Sequence, residues 1–138
     1  MKAAASPAAD FSGKRFLVAE DIEINREYAE VLLRKTGAMV EFAEDGQRCV
    51  EMVSSSSTVY YDLILMDINR PVMDGLEATK RLRRMGFAQP IIALTGTVGD
   101  RDKRAALDAG MDAHVAKPLN MELLKKVIRQ HTRRKGEL

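Results

Sequence analysis

The sequence predicts an open α/β fold, a five-stranded parallel sheet with helices on both faces. Three observations carry this. Apolar runs of strand length alternate strictly with longer stretches of helical period, five of each. Two of the runs, Leu63–Met66 and Ile91–Leu94, are apolar without a break, as suits central parallel strands covered on both faces. Gly37, Gly86 and Gly110 stand where helical stretches stop.

Each element follows in turn. Phe16–Ala19 is the first strand, and Ile24, Tyr28, Val31 and Leu32 then recur at helical spacing, predicting an inward face that Gly37 ends. In Met39–Ala43, Val40 and Phe42 flank Glu41, the alternation of a strand with one wet face or an edge strand. Residues 46–53 read as helix, and Ser54–Ser57 as a polar loop. After Leu63–Met66, Asp74 can cap a helix that turns Leu76, Leu82 and Met85 inward and stops at Gly86. Asp100–Ala109 follows Ile91–Leu94 as a fourth helix. Ala113–Ala116 is the fifth strand, and Asn120 caps a last helix with Leu123, Leu124, Val127 and Ile128 on one face.

Composition bounds the function. A chain of 138 residues, 46% hydrophobic and 30% charged, is one globular domain with an ordinary core. A net charge of +2 gives no argument for nucleic acid or a membrane surface. One cysteine, Cys49, excludes an internal disulfide and a cysteine-rich zinc site, and two histidines exclude a multi-histidine metal site. No apolar run nears the ~20 residues of a membrane span, and residues 1–13 lack the apolar block of a secretion signal. The expected organisation is a linker or expression remnant at 1–13, a domain at 14–132 and a basic tail at 133–138, in the cytoplasm. Cys49 and most methionines fall at core spacing. The basic stretches Lys80–Arg84, Arg101–Arg104 and Lys125–Arg134 read as solvated helix faces or tail, with no DNA-reading unit attached.

The unusual residues sit just past the apolar runs, where open α/β sheets bind ligands. Glu20 and Asp21 follow the first strand, Asp67 the third, Thr95 the fourth and Lys117 the fifth. If the first and third strands are neighbours, three carboxylates converge. Their mutual repulsion calls for positive charge. Lys117 supplies one charge, and an all-oxygen ligand set suits Mg²⁺ or Mn²⁺. A hydroxyl and an ammonium beside such a site are the groups that bind phosphoryl oxygens. The crevice points to phosphoryl chemistry, with a carboxylate as the nucleophile.

These residues give the sequence its resemblance to the receiver domain of two-component response regulators. The matching segments are Val18-Ala19-Glu20-Asp21, Met66-Asp67-Ile68-Asn69-Arg70-Pro71-Val72-Met73-Asp74-Gly75, Ala93-Leu94-Thr95-Gly96 and Ala116-Lys117-Pro118. Glu23-Ile24-Asn25-Arg26 and the segment from Gly110 to Pro118 look most like receivers of hybrid sensor histidine kinases. The resemblance implies a flavodoxin-like (βα)5 three-layer sandwich with strand order 2-1-3-4-5. It implies that Asp67 accepts a phosphoryl group from a phosphohistidine, and that Glu20, Asp21, Asp67 and the Asn69 carbonyl hold Mg²⁺. Lys117 would pair with the phosphoryl group and Thr95 would hydrogen-bond it, switching the face built from the fourth helix, fifth strand and fifth helix. The implied partner is a histidine kinase or a histidine phosphotransfer domain, docking on the first helix, with a phosphorylation-dependent dimer as a further option.

Arg70 stands where receivers often carry Met, and His114 where many carry a switch Tyr or Phe. Asn69 and Thr97 flank the site where family members tune aspartyl-phosphate hydrolysis. A receiver assists its own phosphorylation and dephosphorylation without being a turnover enzyme, although the parent protein could be a kinase. The alternatives are a free-standing single-domain regulator and a small Mg²⁺-dependent phosphatase with an aspartate nucleophile. The second lacks the acid two residues after Asp67, where Asn69 stands. Thr95-Gly96-Thr97-Val98-Gly99 does not make a flavin site, because the first strand ends in acids and the chain has no Trp.

Overall fold

A computed structural model describes residues 11–68, 75–96, 100–117 and 119–132, with the backbone alone for 100–102. Its five strands are β1 (Arg15–Ala19), β2 (Met39–Ala43), β3 (Leu63–Asp67), β4 (Ile91–Thr95) and β5 (Ala113–Ala116). The helices are α1 (Glu23–Arg34), α2 (Gly46–Ser55), α3 (Gly75–Arg84), α4 (Asp100–Ala109) and α5 (Met121–Thr132). All strand pairs are parallel, in the order β2-β1-β3-β4-β5. β2 is an edge, as its alternating pattern predicts.

The period of two along each strand divides the core into two layers. Phe16 and Val18, with Leu63, Leu65, Ile92 and Leu94, face α1 and α5 through Ala29, Leu33, Leu124 and Ile128. Leu17 and Ala19, with Ile64, Met66, Ile91 and Ala93, face the other way onto Cys49, Val53, Ala78, Leu82 and Ala106 of α2–α4. β3 and β4 are buried at every residue, which accounts for their unbroken apolar runs. Both extend one residue past those runs, so Asp67 and Thr95 belong to the strands.

Helix α2 runs two residues past its expected end, taking in Ser54 and Ser55, and four expectations about packing need correcting. In α1 the buried residues are Ala29, Leu32 and Leu33, whereas Ile24, Tyr28 and Val31 are 67%, 49% and 54% exposed. The apolar arc of α1 is wider than the sheet can cover, and the small Ala29 lets the helix settle on its own side of that arc. Leu123 of α5 is likewise exposed, while Leu124 and Ile128 carry the packing. Phe11, read as linker, is buried with its ring edge-on to Phe16 at 5.7 Å, and its N–H donates to Thr36 O. Finally, Arg83 is not on a solvated face. Its guanidinium donates to the Gly110, Phe87 and Gln89 carbonyls and to Asp112.

The predicted stops and caps hold where they are described. Gly86 and Gly110 take φ of +98° and +113°, values that favour glycine. Asn120 Oδ1 accepts from Leu123 N at 2.9 Å and caps α5 as predicted. A cap not predicted, Asp45 Oδ1 accepting from Arg48 N at 2.8 Å, starts α2. The Asp74 cap, Asn69, Arg70, Thr97, Pro118 and the basic tail lie outside the described residues.

Candidate functional site

Strand register assembles the site. Ala19 pairs with Met66 and Asp67 with Leu94, while Thr95 pairs with Ala116. Each strand therefore ends, within a residue, at the same edge of the sheet. Glu20, Asp67, Thr95 and Lys117 arrive there together, and Asp21 follows Glu20 in the turn into α1.

One oxygen from each of Glu20, Asp21 and Asp67 lies within 4.8 Å of the other two. Glu20 is 2% exposed and Asp67 3%, so solvent screens these charges poorly. Lys117 Nζ donates to Glu20 Oε1 at 3.1 Å and to Asp67 Oδ2 at 3.0 Å. Burial pushes its ammonium toward the neutral form. The hydrogen bonds and charges of Asp67, and then of Glu20, outweigh that, and its pKa rises above the ordinary lysine value. Lys117 is thus held charged. Its backbone is fixed as well, since Lys117 N donates to Thr95 O at 2.8 Å.

Two features show what this arrangement can hold. Three carboxylates gather at one point, with the Lys117 ammonium on Glu20 and Asp67 and the Arg26 guanidinium on the Glu20 carbonyl. The Thr95 hydroxyl is buried with no hydrogen-bond partner, a cost of about 1–3 kcal/mol in a folded protein. An all-oxygen acidic trio fits a hard divalent cation. A buried hydroxyl and an ammonium fit an anionic oxygen group placed beside it.

Sequence reasoning placed Glu20, Asp21, Asp67, Thr95 and Lys117 together, and the structure does so. It did not find what supports them. Glu20 Oε2 accepts from Ile22 N at 3.3 Å and Asn25 Nδ2 at 3.4 Å, and Arg26 Nη1 donates to Glu20 O at 2.9 Å. Gly75 lets α3 start directly against the end of β3. A Cβ there would fall 2.8 Å from Asp67 O and 2.9 Å from Ile68 Cγ2, too close for any side chain. The sequence signal for both was position alone, with polar residues one helical turn after the acids and a glycine at a helix start. Beside the site, Val18, Asn25, Tyr28, Ala29, Leu94 and Leu119 line a mostly apolar cavity of about 290 Å³ that Glu20 and Lys117 also reach. His114 is half-buried on β5.

A doubly covered 2-1-3-4-5 parallel sheet with this acid trio and lysine at its carboxyl edge defines a phosphorelay receiver. The chain matches the response regulator receiver domain family over residues 16–129 and belongs to it. The two-component response regulator ORR41 of Oryza sativa subsp. japonica is 43% identical over 112 residues, covering 80% of this chain and 87% of that protein. Hybrid signal transduction histidine kinase I of Dictyostelium discoideum is 39% identical over 121 residues, covering 83% of this chain and 7% of the kinase. The chain thus spans most of one relative and a small part of the other. Among solved structures, the receiver domain of the Arabidopsis thaliana histidine kinase CKI1, complexed with Mg²⁺ and BeF3⁻, is 35% identical. It has a TM-score of 0.81, with 91% of this chain and 93% of that chain covered. The co-crystal structure of the Saccharomyces cerevisiae phosphotransfer protein Ypd1 with the receiver domain of Ssk1 matches at 30% identity. Its TM-score is 0.79, covering 88% and 90% of the two chains. The chain is a receiver domain of two-component phosphorelay signalling, homologous to the receivers of hybrid histidine kinases. Among the described residues no helix is long and apolar enough to cross a membrane.

Proposed function

We propose that Asp67 is the phosphoacceptor of this receiver, taking a phosphoryl group from a phosphohistidine on a histidine kinase or a histidine phosphotransfer domain. The observation that carries this is the setting of Asp67: buried at a strand end, 3.0 Å from the Lys117 ammonium and grouped with Glu20 and Asp21. An Asp67 carboxylate oxygen attacks phosphorus in line. The new O–P bond forms as the N–P bond breaks, and the electron pair returns to the donor imidazole. The product is an aspartyl phosphate.

Glu20, Asp21 and Asp67, with the Asn69 carbonyl, are the residues that would hold Mg²⁺, and Mn²⁺ suits the same oxygens. The cation would supply charge neutralisation for the phosphoryl oxygens. Lys117 then exchanges its contact with Asp67 for one with a phosphoryl oxygen, and the Thr95 hydroxyl donates to another. That donation gives the orphaned group its partner and draws the β4 end inward. The motion would reach α4, β5 and α5, with half-buried His114 at the usual aromatic position. The exposed Ile24, Tyr28 and Val31 of α1, beside the acidic edge, form the face on which the phosphohistidine donor would dock.

Two parents suit this domain. A hybrid histidine kinase is favoured by the likeness to kinase receivers. A free-standing regulator is favoured by the near-full coverage of the rice relative.

Incubation with Mg²⁺ and acetyl phosphate, read by intact-protein mass, tests the site. Native protein should gain one phosphate and Asp67→Asn none, with both folded. Phosphate on Asp67→Asn would refute the assignment. If neither protein is labelled, beryllofluoride binding tests whether the crevice recognises a phosphoryl shape.

A further inference from the structure

We propose that Asn25 is a positioning residue of the metal site, holding the Glu20 carboxylate in the orientation that a small octahedral cation requires. The inference rests on the reading of Glu20, Asp21 and Asp67 as that site. Glu20 is the most buried of the three acids, and its two oxygens have different partners. Oε1 accepts from Lys117 Nζ at 3.1 Å. Oε2 accepts from Ile22 N at 3.3 Å and from Asn25 Nδ2 at 3.4 Å. Ile22 is the N-cap of α1 and has no side-chain cap of its own, so Glu20 takes over the capping of this helix start. Arg26 adds a bond to the Glu20 carbonyl at 2.9 Å. The first turn of α1 thus grips Glu20 by side chain and main chain together.

The two grips are not equivalent once the site is loaded. Lys117 would give up its bond to Oε1 on turning to a phosphoryl oxygen, and the Glu20 carboxylate would be among the groups holding the cation. The partners from the start of α1 touch neither Asp67 nor the phosphoryl position, so nothing in the loading of the site would remove them. A carboxylate carried on a flexible stem must otherwise be ordered at the moment of binding, and groups supporting ligands lower that cost. Mg²⁺ demands near-ideal octahedral geometry at about 2.0–2.1 Å, whereas Ca²⁺ accepts irregular shells at about 2.3–2.6 Å. Loss of the Asn25 amide should therefore harm Mg²⁺ binding more than Ca²⁺ binding.

Asn25 is also the clean probe. Replacing Arg26 would remove a positive charge near a cation site, mixing a gain in attraction with a loss of order. Asn25 is neutral, and Val18, Tyr28, Ala29 and Leu94 around the adjoining cavity can receive a leucine of similar size. The experiment is calorimetric titration of the whole chain with MgCl2 and with CaCl2, for native protein, Asn25→Leu and Asp21→Asn. Asn25→Leu should weaken Mg²⁺ about 10-fold, the low end for supporting groups because its hydrogen bond is long. Ca²⁺ should weaken less than about twofold, so the Mg²⁺/Ca²⁺ preference itself shifts. Asn25→Ala should repeat the shift if the leucine variant fails to fold. Unchanged Mg²⁺ affinity, or equal weakening for both cations, would overturn the positioning role. Native Mg²⁺ affinity in Asp21→Asn would instead overturn the site on which it rests.

Discussion

The two ends of the parallel sheet use the same chemistry in opposite ways. At the entry end, Arg83 donates to Gly110 O at 3.0 Å, to Phe87 O and Gln89 O at 2.8 Å each, and to Asp112 Oδ2 at 2.8 Å. Asp112 Oδ2 also accepts from Ile91 N at 2.9 Å, and Gln89 Nε2 donates to Thr58 O and Tyr61 O. Charge there is consumed by neighbouring groups of the same chain. At the exit end, three carboxylates gather at one point beside Lys117, and the buried Thr95 hydroxyl has no hydrogen-bond partner. The first network is satisfied within the chain, and the second leaves a buried hydroxyl without an acceptor. Incomplete satisfaction is costly, and it persists where a ligand completes it.

The largest effect that tests this contrast comes from the complete end. Arg83→Met should lower stability by about 3 kcal/mol, because three carbonyls and Asp112 lose a charged donor. The Arg83–Asp112 pair itself contributes little of this, since its side chains are 23% and 40% exposed. Urea unfolding measures the loss, and acetyl phosphate labelling of the folded protein should stay normal. A loss below about 1 kcal/mol, or folded protein that no longer labels, would break the separation of the two ends.

The exit end should respond to an added divalent cation. At a free Mg²⁺ concentration 100 times the dissociation constant, binding stabilises the native state by about 2.7 kcal/mol. Asp21→Asn should lose most of that increment. Arg83→Met should keep all of it, because the two substitutions lie at opposite ends of the sheet. Thermal unfolding in MgCl2 against EDTA reads all three proteins. An increment that shrinks in Arg83→Met would show that the ends are coupled.

How much of this was legible in the sequence follows the same division. Unbroken apolar runs fixed β3 and β4, and a polar residue at the end of each run marked Asp67 and Thr95 as candidate site residues. Strand order came from the resemblance and not from periodicity, which gives faces but no neighbours. The α1 face was misread because Ile24, Tyr28 and Val31 share helical spacing with residues that do pack, and spacing alone cannot say how the helix is rotated. Arg83 looked like its basic neighbours because its partners come from as far as 29 residues away. Phe11 was hidden by the small residues around it. The grip of Asn25 on Glu20 and the orphaned Thr95 hydroxyl are facts of three-dimensional bonding that no residue pattern carries.

The smallest predicted effect sharpens the contrast through a buried group that has no ligand to wait for. Cys49 lies in the core layer between the sheet and α2, fully buried. Burial, with a smaller contribution from the Asp45 charge, pushes its thiol from 9.0 up to about 12. Lys117 also meets a burial penalty, yet its neighbouring acids reverse it; Cys49 has no such counter-charge and stays neutral. Above pH 9.0 the unfolded chain releases the Cys49 proton while the folded chain keeps it. The stability from a neutral buried thiol is therefore complete below that pH and declines as the pH climbs toward about 12. By pH 10, one unit above the unfolded value, the decline from this group is about 1.4 kcal/mol. Cys49→Ala should be less stable than native protein at pH 7, having lost the sulfur's packing. Between pH 8 and pH 10 it should lose about 1.4 kcal/mol less than native protein does. Urea unfolding at the two pH values reads the difference, and parallel declines would mean that the Cys49 thiolate is tolerated inside the fold.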